Sequence, residues 1–219
     1  SFVEELGLAV ISTPNAKGVL PYDHPNFWYT IDLHSDPESL NPLKEADVVL
    51  AVGYELAELP PNLWNGSGHC KIIHMSASPA EVNRHYSAHV EVIGDIRDSL
   101  RNLKMMVRSP RELPPVCPYK EKLMESLRQY ENDESYPLRP QKVIADLSKV
   151  IGPQDLIISD MGAHRFWISQ LLPAPGPGTV ILSQSHNVTG FSIPGAIGAQ
   201  VAQPERKVIA VCGESGFLA

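Results

Sequence analysis

Short apolar runs rich in β-branched residues recur along the chain at Ala9–Ser12, Val48–Val52, Lys71–His74, Val90–Ile93, Leu156–Ser159, Val180–Leu182 and Val208–Cys212. They are continuous, not strictly alternating, which is the pattern of strands buried on both faces of a parallel sheet. Helical spacing fills several of the intervals. Ile96–Val107 places apolar residues at 96, 100, 103, 106 and 107, one face of a helix. Ser78-Pro79-Ala80-Glu81 offers a capping residue, a proline at the first helical position and an acidic first turn, and predicts a helix directly after the 71–74 strand. Further helices are predicted over Ser1–Leu6, Tyr119–Glu131, Gln141–Ile151 and Arg165–Leu172. Strands alternating with helices place the chain in the α/β class with a parallel sheet.

The alternation is interrupted once. Between Arg108 and Pro118 four prolines fall in eleven residues (RSPRELPPVCP), a composition that forbids regular structure and suggests an interdomain linker. The expected organisation is therefore a first domain over 1–108, a linker and bridging helix over 109–139, and the start of a second α/β domain over 140–219. No internal repeat is visible. The opening SFVEEL reads as a helix already under way without an initiator Met, and Phe217–Ala219 stops where a new segment should begin, so a fragment of a longer protein is expected.

The chain's 219 residues carry 18 basic and 25 acidic side chains, a net charge of −7. No run of Lys or Arg is long enough to track a phosphate backbone, so no nucleic-acid partner is expected. Cys70, Cys117 and Cys212 are odd in number and lack metal-ligand spacing, which suits a reducing, cytoplasmic setting. No apolar stretch reaches the roughly 18 residues of a membrane span, and no basic-then-apolar leader opens the chain; no membrane partner is expected. Asn65-Gly66-Ser67 and Asn187-Val188-Thr189 are accordingly read as chance matches to a glycosylation signal. The histidines at 24, 34, 69, 74, 85, 89 and 186 show no metal-ligand spacing either.

Three turns carry the candidate chemistry. In Ser159-Asp160-Met161-Gly162-Ala163-His164 a buried strand ends and a helix begins, and in open α/β sheets ligands gather at such carboxyl ends, where helix amides hold anions. The same residues also fit an ordinary strand-to-helix turn. Thr189-Gly190-Phe191-Ser192-Ile193-Pro194-Gly195-Ala196-Ile197-Gly198-Ala199 makes a helix with a nearly bare face, suited to close approach by a sheet or by a cofactor-binding loop. In Cys212-Gly213-Glu214-Ser215-Gly216 an acid follows a buried strand, where it could bind a hard cation such as Mg²⁺ or simply be solvated. A generic nucleotide-binding α/β protein shares strand-end glycines, but the chain has no G-x-G-x-x-G turn.

Taken together and in order, ISDMGAHRFWISQLLP, VTGFSIPGAIGAQVAQPERKVIAVCGESGF and, upstream, LGLAVISTPNAKGVLPYDHPNF, ADVVLAVGYEL, KIIHMSASPAEVNRHY and VEVIGDIRDSL resemble thiamine-diphosphate-dependent enzymes, most closely the acetolactate synthase large subunit. The resemblance implies a parallel-sheet, three-layer central domain followed by part of a doubly wound, cofactor-binding α/β domain. It implies thiamine diphosphate and Mg²⁺ as cofactors, and decarboxylation of a 2-oxo acid such as pyruvate followed by ligation to a second 2-oxo acid. Position by position, it implies that Gly162, Ala163 and His164 approach the diphosphate, that Thr189 and Gly190 lie beneath the ring junction of the cofactor, and that Gly213, Ser215 and Gly216 hold the diphosphate with Glu214 on the metal. The activating glutamate would lie outside this chain. Lys17-Gly18 and Gly53-Tyr54-Glu55 follow strand ends where FAD sits in some relatives; FAD is left open, not implied. Sites shared between subunits imply a homodimer or homotetramer.

Two departures from the family pattern bear on this. The metal turn usually reads Gly-Asp-Gly and here reads Gly213-Glu214-Ser215; the extra methylene pushes the carboxylate outward, and Mg²⁺ demands near-octahedral geometry at about 2.0–2.1 Å. A large apolar residue usually precedes Gly190, where Thr189 stands, and the lost apolar contact is worth about 1–2 kcal/mol. These departures leave a second expectation open, a non-catalytic relative acting as a binding or assembly module.

Overall fold

The computed structural model describes residues 2–107, 117–183 and 188–219. Most of the expected linker, together with Ser1, His186 and the Asn187 of one glycosylation match, lies outside the described residues. The strands are β1 (Val10–Ser12), β2 (Phe27–Thr30), β3 (Val48–Val52), β4 (Lys71–Ser76), β5 (Ala88–Ile93), β6 (Leu156–Ser159), β7 (Val180–Leu182) and β8 (Val208–Val211). The helices are α1 (Phe2–Leu6), α2 (Asn41–Glu45), α3 (Pro61–Trp64), α4 (Ile96–Met106), α5 (Pro118–Tyr130), α6 (Pro140–Val150), α7 (Ala163–Leu171), α8 (Ser192–Ala202) and α9 (Glu214–Leu218). Every pairing between these strands is parallel, in sheets ordered β1-β2, β3-β4-β5 and β7-β6-β8, as the α/β expectation requires.

The chain forms two compact units. One comprises the residues through Ala9 and those from Asp36 to 107; the other comprises Val10–Ser35 and the described residues from Cys117 onward. This partition differs from the division expected at 108 and 139: both the 10–35 segment and the supposed bridging helix α5 belong to the second unit. Buried polar ties explain it. Lys17 Nζ donates to the Ser169 carbonyl at 2.8 Å, Arg165 pairs with Asp32, and Lys120 Nζ on α5 donates to the carbonyls of Tyr22 and Phe27 at 3.1 and 2.6 Å.

In the first unit β4 is central, with Ile72, His74 and Met75 buried. His74 Nε2 donates to the Ser78 carbonyl at 3.0 Å, which leaves Nδ1 to accept from the Tyr86 hydroxyl at 2.9 Å, beside a cluster of Tyr54 and Trp64. Asp95 caps α4 by accepting from the Asp98 amide at 2.9 Å. The helix expected from Ser78 does not form. Residues 77–87 are irregular apart from a bridge between Asn83 and Tyr86. Capping signals alone do not hold a helix that has no apolar face: Val82, the sole large aliphatic residue there, is fully exposed, and the Ala80 amide donates to Glu91 Oε1 instead.

In the second unit α5, α6 and α7 pack with the β7-β6-β8 sheet around Leu127, Ile144, Ile157, Ile168, Leu172 and Leu182. Of the apolar strands, β6 is buried at every position, because it is central and covered. The expectation of burial on both faces fails for β3 and β5, where Val48 and Val90 are each 52% exposed; both are edge strands of their sheet. Strand β2 was not expected from the sequence. It pairs with β1, placing Ser12 Oγ 3.0 Å from Thr30 Oγ1.

Candidate functional site

The three turns expected to carry chemistry begin side by side. Ser159, at the end of β6, is in register with Leu182 at the end of β7 and with Val211 at the end of β8, so the three carboxyl ends are level. From that row the chain enters α7, α8 and α9.

Asp160, the first residue beyond β6, is fully buried. Its backbone amide donates to the Val211 carbonyl at 3.0 Å, continuing the ladder towards β8. Its carboxylate turns the other way: Oδ2 accepts from the Gly190 amide at 2.8 Å, and Oδ1 accepts from the Phe191 amide at 3.4 Å and from the Met161 amide at 2.7 Å. A Cβ at Gly216 would fall on Asp160 Oδ2, well inside any real contact distance. One carboxylate thus touches all three turns. Gly190, with φ +86°, has the backbone that glycine tolerates best. Asp160 lies within the first motif without a role assigned from the sequence; the signal available for it is an acid directly after a fully buried strand, ahead of a glycine.

His164 occupies the first turn of the nine-residue helix α7, whose entry residue Gly162 has φ +149°. A Cβ at Gly162 would lie 2.7 Å from His164 Cε1, and one at Gly213 would lie 3.6 Å from it, so the imidazole sits between two of the turns in space that side chains there would take. Burial pushes the His164 pKa below its ordinary value, opposed by the charge and backbone of Asp160. His164 Nε2 is buried without a hydrogen-bond partner. A buried polar nitrogen left unpaired at a glycine-lined helix start fits an anionic oxygen such as that of a diphosphate. Ala163, next to it, is exposed.

The remaining expected residues divide sharply. Gly216 is buried and Gly190 and Gly213 are half-buried, whereas Thr189, Glu214 and Ser215 are exposed. Among the described residues no group of three or more His, Cys, Asp or Glu side chains could hold a metal ion. A Mg²⁺ at this place would have Glu214 as its one carboxylate ligand from these turns and would draw its other oxygens from a diphosphate and water. Behind the site, Gly195 packs α8 onto β6, a Cβ there lying 3.4 Å from Ile158 Cγ2. The bare face of α8 therefore serves the sheet at this position.

The stretches linked to FAD fall in different compact units, Lys17-Gly18 in the second and Gly53-Tyr54-Glu55 in the first. Lys17 is buried with its ammonium on the Ser169 carbonyl.

Comparison with known proteins identifies relatives of this chain. The model of the thiamine pyrophosphate enzyme central domain matches residues 1–103, and that of the C-terminal TPP-binding domain matches residues 160–219, which contain all three turns. Acetolactate synthase of Bacillus subtilis (strain 168) is 27% identical over 99% of this chain and 39% of its own length. A probable acetolactate synthase large subunit of Methanocaldococcus jannaschii is 27% identical over 98% of this chain and 38% of its own. The catabolic acetolactate synthase of Raoultella terrigena is 29% identical over 80% of this chain and 32% of its own. The chain thus spans less than two-fifths of the length of these relatives. No helix among the described residues is long and apolar enough to cross a membrane.

Proposed function

Because the chain belongs to the thiamine pyrophosphate enzyme family, we propose that it forms part of a thiamine-diphosphate- and Mg²⁺-dependent enzyme that decarboxylates a 2-oxo acid such as pyruvate and ligates the product to a second 2-oxo acid. The observation that carries this reading is the joining of three level strand ends through Asp160, with the His164 ring lying against Gly162 and Gly213 and its buried Nε2 without a hydrogen-bond partner. When bound, the cofactor supplies the nucleophilic carbon and the electron sink; the protein supplies position and electrostatics. His164 and the start of α7 at Gly162 and Ala163, together with Gly213, Ser215 and Gly216, would hold the diphosphate, Glu214 would hold the metal, and Thr189 and Gly190 would support the ring junction. The catalytic activity belongs to the whole protein, taken to be a cytoplasmic homodimer or homotetramer.

Calorimetric titration of the full-length protein with thiamine diphosphate and Mg²⁺, followed by CO₂ release from pyruvate, tests the proposal. Mg²⁺-dependent binding together with release supports it; absence of release at saturating cofactor overturns it. A second reading, a non-catalytic binding or assembly module, is favoured by the exposure of Thr189, Glu214 and Ser215, the three positions that depart from the family pattern. The same titration separates them, since tight Mg²⁺-dependent binding is incompatible with a relaxed cofactor site. Restoring the family residues with Thr189→Met, Glu214→Asp and Ser215→Gly would recover binding if the module reading holds.

A further inference from the structure

We propose that Asp160 is a positioning residue that locks the three strand-end turns into their binding geometry before any cofactor arrives. This rests on the cofactor reading above and deepens it.

A carboxylate with no exposed surface is costly unless its oxygens are hydrogen-bonded. Asp160 meets that demand entirely with backbone amides, those of Met161, Gly190 and Phe191. Two of the three belong to the turn that leads into α8. Charge-assisted bonds of this kind are short and directional, so the carboxylate fixes where the Gly190 peptide plane faces. On its third side the same carboxylate excludes a side chain at position 216. That explains a feature of the sequence that the family pattern leaves unaccounted for. The glycine needed in the Gly213-Glu214-Ser215-Gly216 turn is Gly216, next to Asp160, while position 215 is exposed and accepts serine. Asp160 spends its oxygens on amides, so it sets the frame without serving as a metal ligand; that role stays with Glu214.

The test is amide hydrogen exchange of the full-length protein, read at Gly190 and Phe191, combined with calorimetry and steady-state kinetics. In the unmodified, cofactor-free protein both amides are expected to be protected at least about a hundredfold over an open turn. Protection that arises only on adding thiamine diphosphate and Mg²⁺ overturns the proposal. Asp160→Asn keeps the volume but turns one acceptor into a donor facing an amide. It is expected to speed exchange at Gly190 and Phe191 and to weaken cofactor binding, each by about tenfold or more. At saturating cofactor it should lower kcat by a similar factor while the KM for pyruvate stays within about twofold. A purely structural role would leave those ratios unchanged among molecules that remain folded. Should Asp160→Asn fail to fold, the exchange pattern of the unmodified protein still decides. Should the unmodified protein bind no thiamine diphosphate, the functional reading falls, while protection at Gly190 continues to report on the lock.

Discussion

Asp32 and Arg165 face each other in the second unit as a buried ion pair, Nη2 to Oδ2 3.7 Å, with side chains 0% and 3% exposed. The pair is poorly served: Arg165 Nε and Nη1 and Asp32 Oδ2 have no hydrogen-bond partner, and the guanidinium leans instead on the ring of Phe166 at 4.8 Å. Removing one member strands the other charge in the interior, a loss of about 3–5 kcal/mol, whereas replacing both by apolar groups of similar volume is close to neutral or stabilising. Asp32→Leu alone is therefore expected to destabilise the unit severely, and Asp32→Leu combined with Arg165→Met to restore most of the loss. Urea unfolding of the three proteins checks this; equal loss in the single and double variants would contradict it.

Lys17 is another buried charge. Burial lowers its pKa from 10.5 to about 7, and its ammonium has the Ser169 carbonyl at 2.8 Å as an acceptor. Below pH 7 the folded and unfolded states both hold the proton and the burial penalty is at its greatest. Between about 7 and 10.5 the unfolded chain keeps the proton and the folded one gives it up, so stability rises with pH across that window. Lys17→Met is expected to raise stability near neutral pH and to flatten this slope. Melting temperatures measured from pH 6 to about 10 read both effects; a slope retained in the variant would mean that another group titrates.

Much of the fold is legible because β-branched runs and helical spacing are local signals. Val48–Val52, Leu156–Ser159 and Val180–Leu182 form where such runs occur, and α4 follows its apolar stripe. Phe27–Thr30 was missed because its aromatic residues follow Pro25-Asn26 and resemble the end of a loop; its burial comes from pairing with β1, which no local pattern encodes. Ser78-Pro79 misled for the opposite reason, offering a cap without a face to bury. At the candidate site, the glycines and His164 stand in turns that the sequence marks by motif. Asp160 was not, since its partners at 190, 191 and 216 meet it only once three parallel strands align. The Asp32–Arg165 pair is equally invisible, being a contact between distant segments.

His164 links two of the turns through its ring and presents an unpaired Nε2. Burial lowers its pKa below the ordinary value, against the opposing charge and backbone of Asp160. His164→Ala empties the space beside Gly162 and Gly213 and removes the nitrogen; thiamine diphosphate affinity is expected to fall about tenfold or more, the worth of a hydrogen bond to a charged group. A bound anion favours the protonated ring, so affinity should rise as the pH is lowered from neutral in the unmodified protein and lose that dependence in the variant. Calorimetry at two pH values measures it, and affinity that is independent of pH and of the substitution would remove His164 from the diphosphate's surroundings.

Glu214 opens α9, is exposed and belongs to no acidic cluster among the described residues. Its removal leaves no buried group unpaired, so Glu214→Gln should not shift the melting temperature of the cofactor-free protein. If it supplies a carboxylate to Mg²⁺, the loss appears only in the metal's contribution: the Mg²⁺ concentration needed for half-maximal thiamine diphosphate binding rises by about tenfold or more, with little change when cofactor is titrated without metal. Glu214→Asp shortens the side chain by one methylene and, given the strict octahedral preference of Mg²⁺, is expected to tighten metal-dependent binding. Equal Mg²⁺ dependence in all three proteins would show that the exposed carboxylate does not reach the ion.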